Sequence, residues 1–140
     1  MTIRFSAAAG GAEQSPETED GWFEVGVSEN SDGTGRVLVF QCLLEEPDEQ
    51  NRRLGMDTYC VSNESGGSTY AGVEAVEADS ARLRVIFTDT AAEELELADK
   101  EVEVDVSGLP GDTIADINAG LRKVLAYGRE DARPNRISIE

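Results

Sequence analysis

Apolar and polar residues alternate with a period of two along several parts of this chain. In WFEVGVS, residues 22–28, three apolar side chains fall on one side of the chain, which predicts a half-buried strand. EVEVDVS, residues 101–107, repeats the pattern, whereas RVLVFQCLL, residues 36–44, is apolar on both faces and predicts a strand covered on both sides. The turn pair Asp32-Gly33 favours a hairpin between two such segments. The chain is therefore expected to form about seven strands in hairpin order.

Near the C-terminus the period of the apolar residues changes from that of a strand to that of a helix. Apolar residues recur there at helical spacing and form one stripe: Ile114, Ile117, Leu121, Val124 and Leu125. The spacing predicts a helix over residues 113–127, capped by Asp112, with its apolar face buried on the sheet. A shorter helix is expected in DTAAEELEL, capped by Asp89 or Thr90.

These elements indicate an α+β protein. We expect a mainly antiparallel sheet of about seven strands, with the short helix and the C-terminal amphipathic helix packed on one face. A chain of 140 residues fits a single domain, which we assign to residues 1–128. Residues 9–21 are polar and contain glycine, which predicts a loop. Residues 129–140 are expected to form a C-terminal tail, where Pro134 and mixed charges favour a mobile end.

The two cysteines, Cys42 and Cys60, lie in strand-like apolar segments. If the second segment pairs antiparallel with the first, Cys42 falls close to Cys60. Neither has CxxC spacing or further cysteines around it, so a structural zinc site lacks ligands. Buried thiols in a reducing compartment fit this usage best.

The charge of the chain is unusual, with 12 basic residues against 29 acidic ones and a formal net charge of −17. Repulsion makes nucleic acids and anionic membranes poor partners. A basic protein surface is the natural complement, because long-range attraction raises the rate of encounter. The alternative is that the acidity serves solubility alone.

Candidate catalytic chemistry is sparse. The chain has no histidine, which removes the usual neutral-pH general base and the commonest metal ligand. Acidic residues are numerous, yet no fixed spacing marks two of them as an acid–base pair. Gly66-Gly67-Ser68 lacks the remainder of a phosphate loop, and the net charge opposes phosphate. We therefore predict no enzyme activity, no cofactor and no metal. No signal-peptide core or membrane span is evident, so the chain is expected to be cytoplasmic.

Recognition is better supported than catalysis. The stretch EEPDEQNRRLGMDTYC, residues 45–60, has four carboxylates among its first five residues. Its pattern predicts an exposed connection over residues 45–53 and a strand that starts at Leu54. Tyr70 follows the glycine turn, and Trp22 follows the acidic residues Glu17, Glu19 and Asp20. Aromatic side chains beside charges are typical of interface hot spots. The alternatives are that Trp22 completes the core and that the carboxylates form a solvated face. The candidate contact residues are Glu45, Glu46, Asp48, Glu49, Asp57, Tyr59 and Tyr70.

Several quoted segments together resemble the immunity protein 10 family of bacterial polymorphic-toxin systems. They are EDGWFEVGV, VFQCLLE, DEQNRRLGMDTYCV and TYAGVEAV, and the likeness extends over roughly residues 1–126. The resemblance implies an α+β protein that binds and neutralises a cognate toxin domain by occluding its active surface. That toxin domain would present a basic surface to this acidic chain. The alternatives are a small-molecule-binding protein or small enzyme with a cleft beside the sheet, and a structural interaction module.

Overall fold

A computed structural model describes residues 2–15 and 21–140 of the chain. Within these ranges the strands are β1 (Ile3–Ser6), β2 (Ala9–Gln14), β3 (Trp22–Ser28), β4 (Val37–Leu43), β5 (Cys60–Asn63), β6 (Ser68–Tyr70), β7 (Val73–Ala78), β8 (Arg82–Phe87), β9 (Glu101–Asp105) and β10 (Arg136–Ile139). The helices are α1 (Glu49–Arg53), α2 (Asp89–Glu94) and α3 (Gly111–Leu125), followed by a 3-10 turn at Glu130–Ala132. The described helices are all too short or too polar to cross a membrane.

The strands form two sheets of five. The first has the order β1-β9-β8-β7-β10, and its outer strands β1 and β10 run parallel to their neighbours. The second, β2-β3-β4-β5-β6, is an antiparallel meander. The α+β class is confirmed, but the expectation of one sheet of about seven strands is wrong. Only Ala7 and Ala8 separate β1 from β2, and they carry the chain from one sheet to the other.

One apolar core joins both sheets. The alternating residues Val25 and Val27 are buried, as are Val85 and Val104 of the first sheet. Splitting the strands into two sheets gives each an inner face in this core and leaves each an outer face toward solvent. Residues 9–14, expected to lie in a loop, form β2 because they pair along the whole of β3.

The C-terminal helix α3 packs across β2, β3 and β4. At Gly120 the approach is so close that an added Cβ would overlap the Val25 side chain and lie 3.2 Å from Ala12 Cβ. The helix begins at Gly111 rather than Thr113, and Pro110 occupies the cap position without a side-chain hydrogen bond. Asp112, the predicted cap, is therefore inside the first turn.

The cap predicted for the short helix also shifts by one residue. α2 begins at Asp89, and Thr88 Oγ1 accepts a hydrogen bond from the Ala91 N–H at 3.1 Å. Thr88, and not Asp89 or Thr90, is the capping residue. Its extended backbone lets the hydroxyl reach the free N–H groups of the first turn.

Residues 136–139, predicted to belong to a tail, form β10 and extend the first sheet. β10 pairs with β7, and the Asn135 N–H donates to the Glu74 carbonyl at 2.8 Å just before the strand begins. Arg122 of α3 donates a side-chain hydrogen bond to the Ile139 carbonyl. The C-terminal segment is thus tied both to the sheet and to the long helix.

The register of β4 and β5 separates the two cysteines. The strands pair antiparallel as expected, but Gln41, and not Cys42, lies opposite Cys60. Successive side chains point to opposite faces of a strand, so Cys42 is buried in the core while Cys60 lies half-buried on the outer face. The two cysteines are therefore one position out of register and on opposite faces of the sheet, and both are free.

Candidate partner-binding surface

The stretch from residue 45 to residue 60 contains a helix that the sequence analysis missed. Asp48 caps α1: its Oδ1 accepts from the Asn51 N–H at 2.7 Å, and Asn51 Oδ1 accepts from the Asp48 N–H at 3.0 Å. Such reciprocal bonding is a capping box, and the spacing of Asp48 and Asn51 was the signal for it. The strand expected from Leu54 begins only at Cys60.

Four predicted contact residues, Glu45, Glu46, Asp48 and Glu49, are all exposed at the start of this stretch. We call residues 45–49 the acidic segment. Glu49 pairs with Arg53 at 3.3 Å, one helical turn away, but both side chains are largely in solvent. An exposed pair of this kind contributes little stability. The acidic segment therefore presents its charge to solvent.

Tyr70 lies on the outer face of the second sheet. In the strand register, Trp22 pairs with Leu43, and Cys60 pairs with Tyr70. These four residues and Met56 line a cavity of about 270 Å³, which Asn51 of α1 also borders. We call it the apolar depression, and define it by Trp22, Leu43, Met56, Cys60 and Tyr70.

The apolar depression leaves large apolar side chains in water. Leu43 is 37% exposed, Met56 36% and Tyr70 43%. Sequence reasoning missed Leu43 and Met56, because the β4 segment is apolar on both faces and predicted a strand covered on both sides, whereas in the structure Leu43 is exposed on the face opposite the core. Trp22 is half-buried on that outer face, while its acidic neighbours Glu17, Glu19 and Asp20 lie outside the described residues.

Tyr59 is not a surface residue. Its side chain is completely buried, and its hydroxyl oxygen accepts a hydrogen bond from the Val73 N–H at 3.0 Å. Burial raises the pKa of Tyr59 to about 12. The prediction that Tyr59 contacts a partner is therefore corrected, because the side chain is part of the core.

Asp57 is also buried, with 5% of its surface exposed. Its Oδ2 lies 3.2 Å from Arg129 Nε, and its carbonyl accepts from the Arg129 N–H at 3.1 Å. The next residue, Thr58, forms a β-bridge with Gly128, whose φ of +81° and close approach to Asp57 exclude a side chain at that position. The segment at 57–59 is thus packed against the chain that leaves α3, and Asp57 is not exposed to a large partner.

A second cavity lies between α1 and the residues after α3, with a volume of about 360 Å³. We call it the arginine cavity, because Arg52, Arg129 and Arg133 line it together with Asp57 and Tyr127. The Tyr127 hydroxyl donates to the Glu45 carbonyl at 2.8 Å and so holds the acidic segment against the end of α3. Burial and nearby negative charge raise the pKa of Tyr127 to about 12, which keeps this donor protonated.

A third cavity, of about 600 Å³, is on the first sheet and is bordered by Arg4, Arg82 and Glu103. Glu103 accepts from Arg4 Nε at 2.7 Å and from Arg82 Nη1 at 2.8 Å. These two bonds hold the pKa of the Glu103 carboxyl below its ordinary value. Because these three charges pair with one another across the strands, they stabilise the sheet.

Comparison with known proteins identifies the family. No curated protein and no solved structure matches the chain. The sequence model of immunity protein 10 matches residues 6–114. That range includes the acidic segment, the apolar depression and the first residues of α3. The chain therefore belongs to the immunity protein 10 family.

Proposed function

We propose that this protein binds a cognate toxin domain and neutralises it by covering the toxin's active surface, with no catalysis of its own. The observation that carries the proposal is the apolar depression, whose lining residues Leu43 and Asn51 flank the exposed acidic segment along the chain. A desolvated aromatic and aliphatic centre next to charged residues is the usual anatomy of a protein interface.

The two surfaces have different roles in the proposed complex. Tyr70, Met56 and Leu43 supply contact area, since each exposes apolar surface that a partner would remove from water. Glu45, Glu46, Asp48 and Glu49 attract a basic toxin surface and raise the association rate. Asp57 and Tyr59 are buried and take no part in the proposed contact.

The charge of the chain supports a basic protein partner. A net charge of −17 repels nucleic acids and anionic membranes but favours encounter with a cationic surface. Neutralisation of a toxin made in the same cell places the complex in the cytoplasm.

Co-expression tests the proposed function directly. The toxin domain encoded beside this chain is expressed in a bacterial host with and without it, and survival is scored. Survival only in the presence of this chain is the expected result. Equal killing in both cultures would refute neutralisation, whatever surface is involved.

Charge reversal tests the role of the acidic segment. The variant E45K/E46K/E49K leaves the Asp48 cap of α1 intact. The matched variant E74K/E93K/D116K makes the same charge change at exposed residues that border neither the apolar depression nor the arginine cavity. We expect the first variant to slow toxin association at low salt by at least about tenfold relative to the second. Equal association rates for the two variants would rule out electrostatic steering of the toxin by the acidic segment.

Truncation of Tyr70 tests the apolar depression. Y70A is expected to weaken toxin binding by about 2 kcal/mol, mainly through faster dissociation. The matched variant I137A removes an apolar side chain of similar exposure, 45%, on β10. An equal effect of Y70A and I137A would exclude the depression as the contact site while leaving neutralisation itself open to the survival assay.

A further inference from the structure

Helix α1 buries no residue in the core, yet hydrogen bonds fix its conformation at both ends. The capping box of Asp48 and Asn51 closes its first turn. Its last turn ends in a Schellman motif, in which the Gly55 N–H donates to the Arg52 carbonyl at 3.2 Å. The Met56 N–H donates to the Asn51 carbonyl at 2.8 Å, and Gly55 has the positive φ, +73°, that the motif requires. Since apolar burial does not stabilise this helix, its order comes from these local bonds.

The loop that carries α1 is also attached to the chain that leaves α3. Before the helix, the Tyr127 hydroxyl donates to the Glu45 carbonyl at 2.8 Å. After it, the Arg129 N–H donates to the Asp57 carbonyl at 3.1 Å. Both bonds hold backbone carbonyls, so they fix the course of the loop while most side chains of α1 remain in solvent. The helix is therefore preformed on the surface, and binding to it costs little further conformational entropy.

Leu54 ends α1 and is the most exposed large apolar side chain in the described part of the chain, at 61%. A single exposed leucine is ordinary on a soluble protein, but this one extends an existing apolar surface. It follows Asn51 by three residues, and residues three apart share one side of a helix. Asn51 borders the apolar depression, as does Met56, which comes shortly after Leu54. Leu54 therefore projects at the rim of the apolar depression.

We propose that Leu54 inserts into an apolar recess on the toxin domain, an inference that rests on the proposed function. The contact face then combines a projecting side chain with a depression. A toxin surface that fits it has the reverse arrangement: an apolar recess for Leu54 and, beside it, a projecting apolar group that fills the depression. This complementarity gives the toxin contact a specific shape in addition to its charge.

Charge favours a toxin over a second copy of this chain as the occupant. Leu54 closely follows the acidic segment, on a chain with a net charge of −17. Two copies that met through this face would bring their acidic segments together, and like charges at an interface oppose association. A basic surface around the apolar recess would instead attract the acidic segment.

Three substitutions at Leu54 separate the size of the side chain from its polarity. The backbone there, with φ of −89° and ψ of 0°, accommodates each of them. Toxin binding is measured by surface plasmon resonance. L54M keeps an apolar side chain of similar volume and should bind within about threefold of the unchanged chain. L54A and L54N should each bind at least about tenfold more weakly, mainly through faster dissociation. Equal binding by L54M and L54N would overturn the apolar recess.

Controls separate a local contact from other causes. I137A, at a residue that is 45% exposed on β10, should change toxin binding by less than about twofold; equal weakening by L54A and I137A would overturn the contact. L54A should leave the urea midpoint unchanged, and a lower midpoint would assign its effect to folding instead. A dimer of the free chain that L54A abolishes, measured by sedimentation, would make a second copy the occupant and overturn the toxin contact.

The co-expression assay distinguishes failure of this inference from failure of the proposed function. Undiminished toxin binding by L54A, while the unchanged chain still protects the cells, would overturn the role of Leu54 alone. Killing in the presence of the unchanged chain would overturn neutralisation and this inference together.

Discussion

Replacement of Tyr59 with Phe tests the buried role that the structure gives this residue. Phe keeps the ring that fills the core but removes the hydroxyl oxygen that accepts from the Val73 N–H at 3.0 Å. Val73 is itself only 3% exposed, so water does not replace the lost partner. An unsatisfied buried donor costs about 1–3 kcal/mol, and we expect the free energy of unfolding to fall by about 2 kcal/mol.

Urea denaturation measures this loss. With a slope on the order of 2 kcal/mol/M, a loss of about 2 kcal/mol lowers the urea midpoint by about 1 M without changing the slope. Y70F is the matched control, because Tyr70 is exposed and its hydroxyl makes no hydrogen bond within the described part of the chain; its effect should stay within about 0.5 kcal/mol. A loss below about 0.5 kcal/mol for Y59F would refute the buried hydrogen bond. Toxin association should be unchanged in Y59F.

Three further predictions follow from the packing and the titratable groups. Gly120→Ala overlaps the β3 side chains beneath α3 and should cost about 1–3 kcal/mol, whereas Gly111→Ala, with open space around it, should stabilise by about 0.5–1 kcal/mol in the same urea assay. Tyr59 and Tyr127 have pKa values of about 12 in the folded protein, against about 10 in the unfolded chain. These raised pKa values stabilise the folded state fully below a pH of about 10, and the contribution is lost as the pH rises to about 12. Y127F should reduce the loss of stability at alkaline pH, and an unchanged loss would refute the contribution of Tyr127. Cys60 borders the apolar depression, so a saturating toxin domain should slow its alkylation, as followed by mass spectrometry of the modified peptide; an undiminished rate would place the contact elsewhere.

Local periodicity predicted the strands and the helix in which buried and exposed positions recur at regular intervals along the chain. The alternation in β3 correctly separated buried Val25 and Val27 from Glu24 and Gly26, and the stripe on α3 matched its buried face. Strand and helix patterns are readable because neighbouring positions in the sequence occupy fixed directions around the element. The residues 9–14 of β2 have no such pattern, and only pairing with β3 makes them a strand.

The contact surface was less predictable, because exposure depends on which segments cross. Tyr59 and Tyr70 are the same residue type on either side of one glycine turn, yet one is completely buried and the other 43% exposed. The segment at 57–59 is covered because it packs against Gly128, which is 70 residues further along the chain. No local pattern specifies that contact.

The sequence by itself determined the α+β class, the family resemblance, the absence of histidine and the strong negative charge, since these follow from composition and short-range order. The tertiary structure decided where the charges act. The residues on either side of the acidic segment border an apolar depression built from four strands and one loop, and three arginines from two distant segments meet at one cavity. Net charge is a sum over residues, whereas a local field depends on distances that only long-range packing sets.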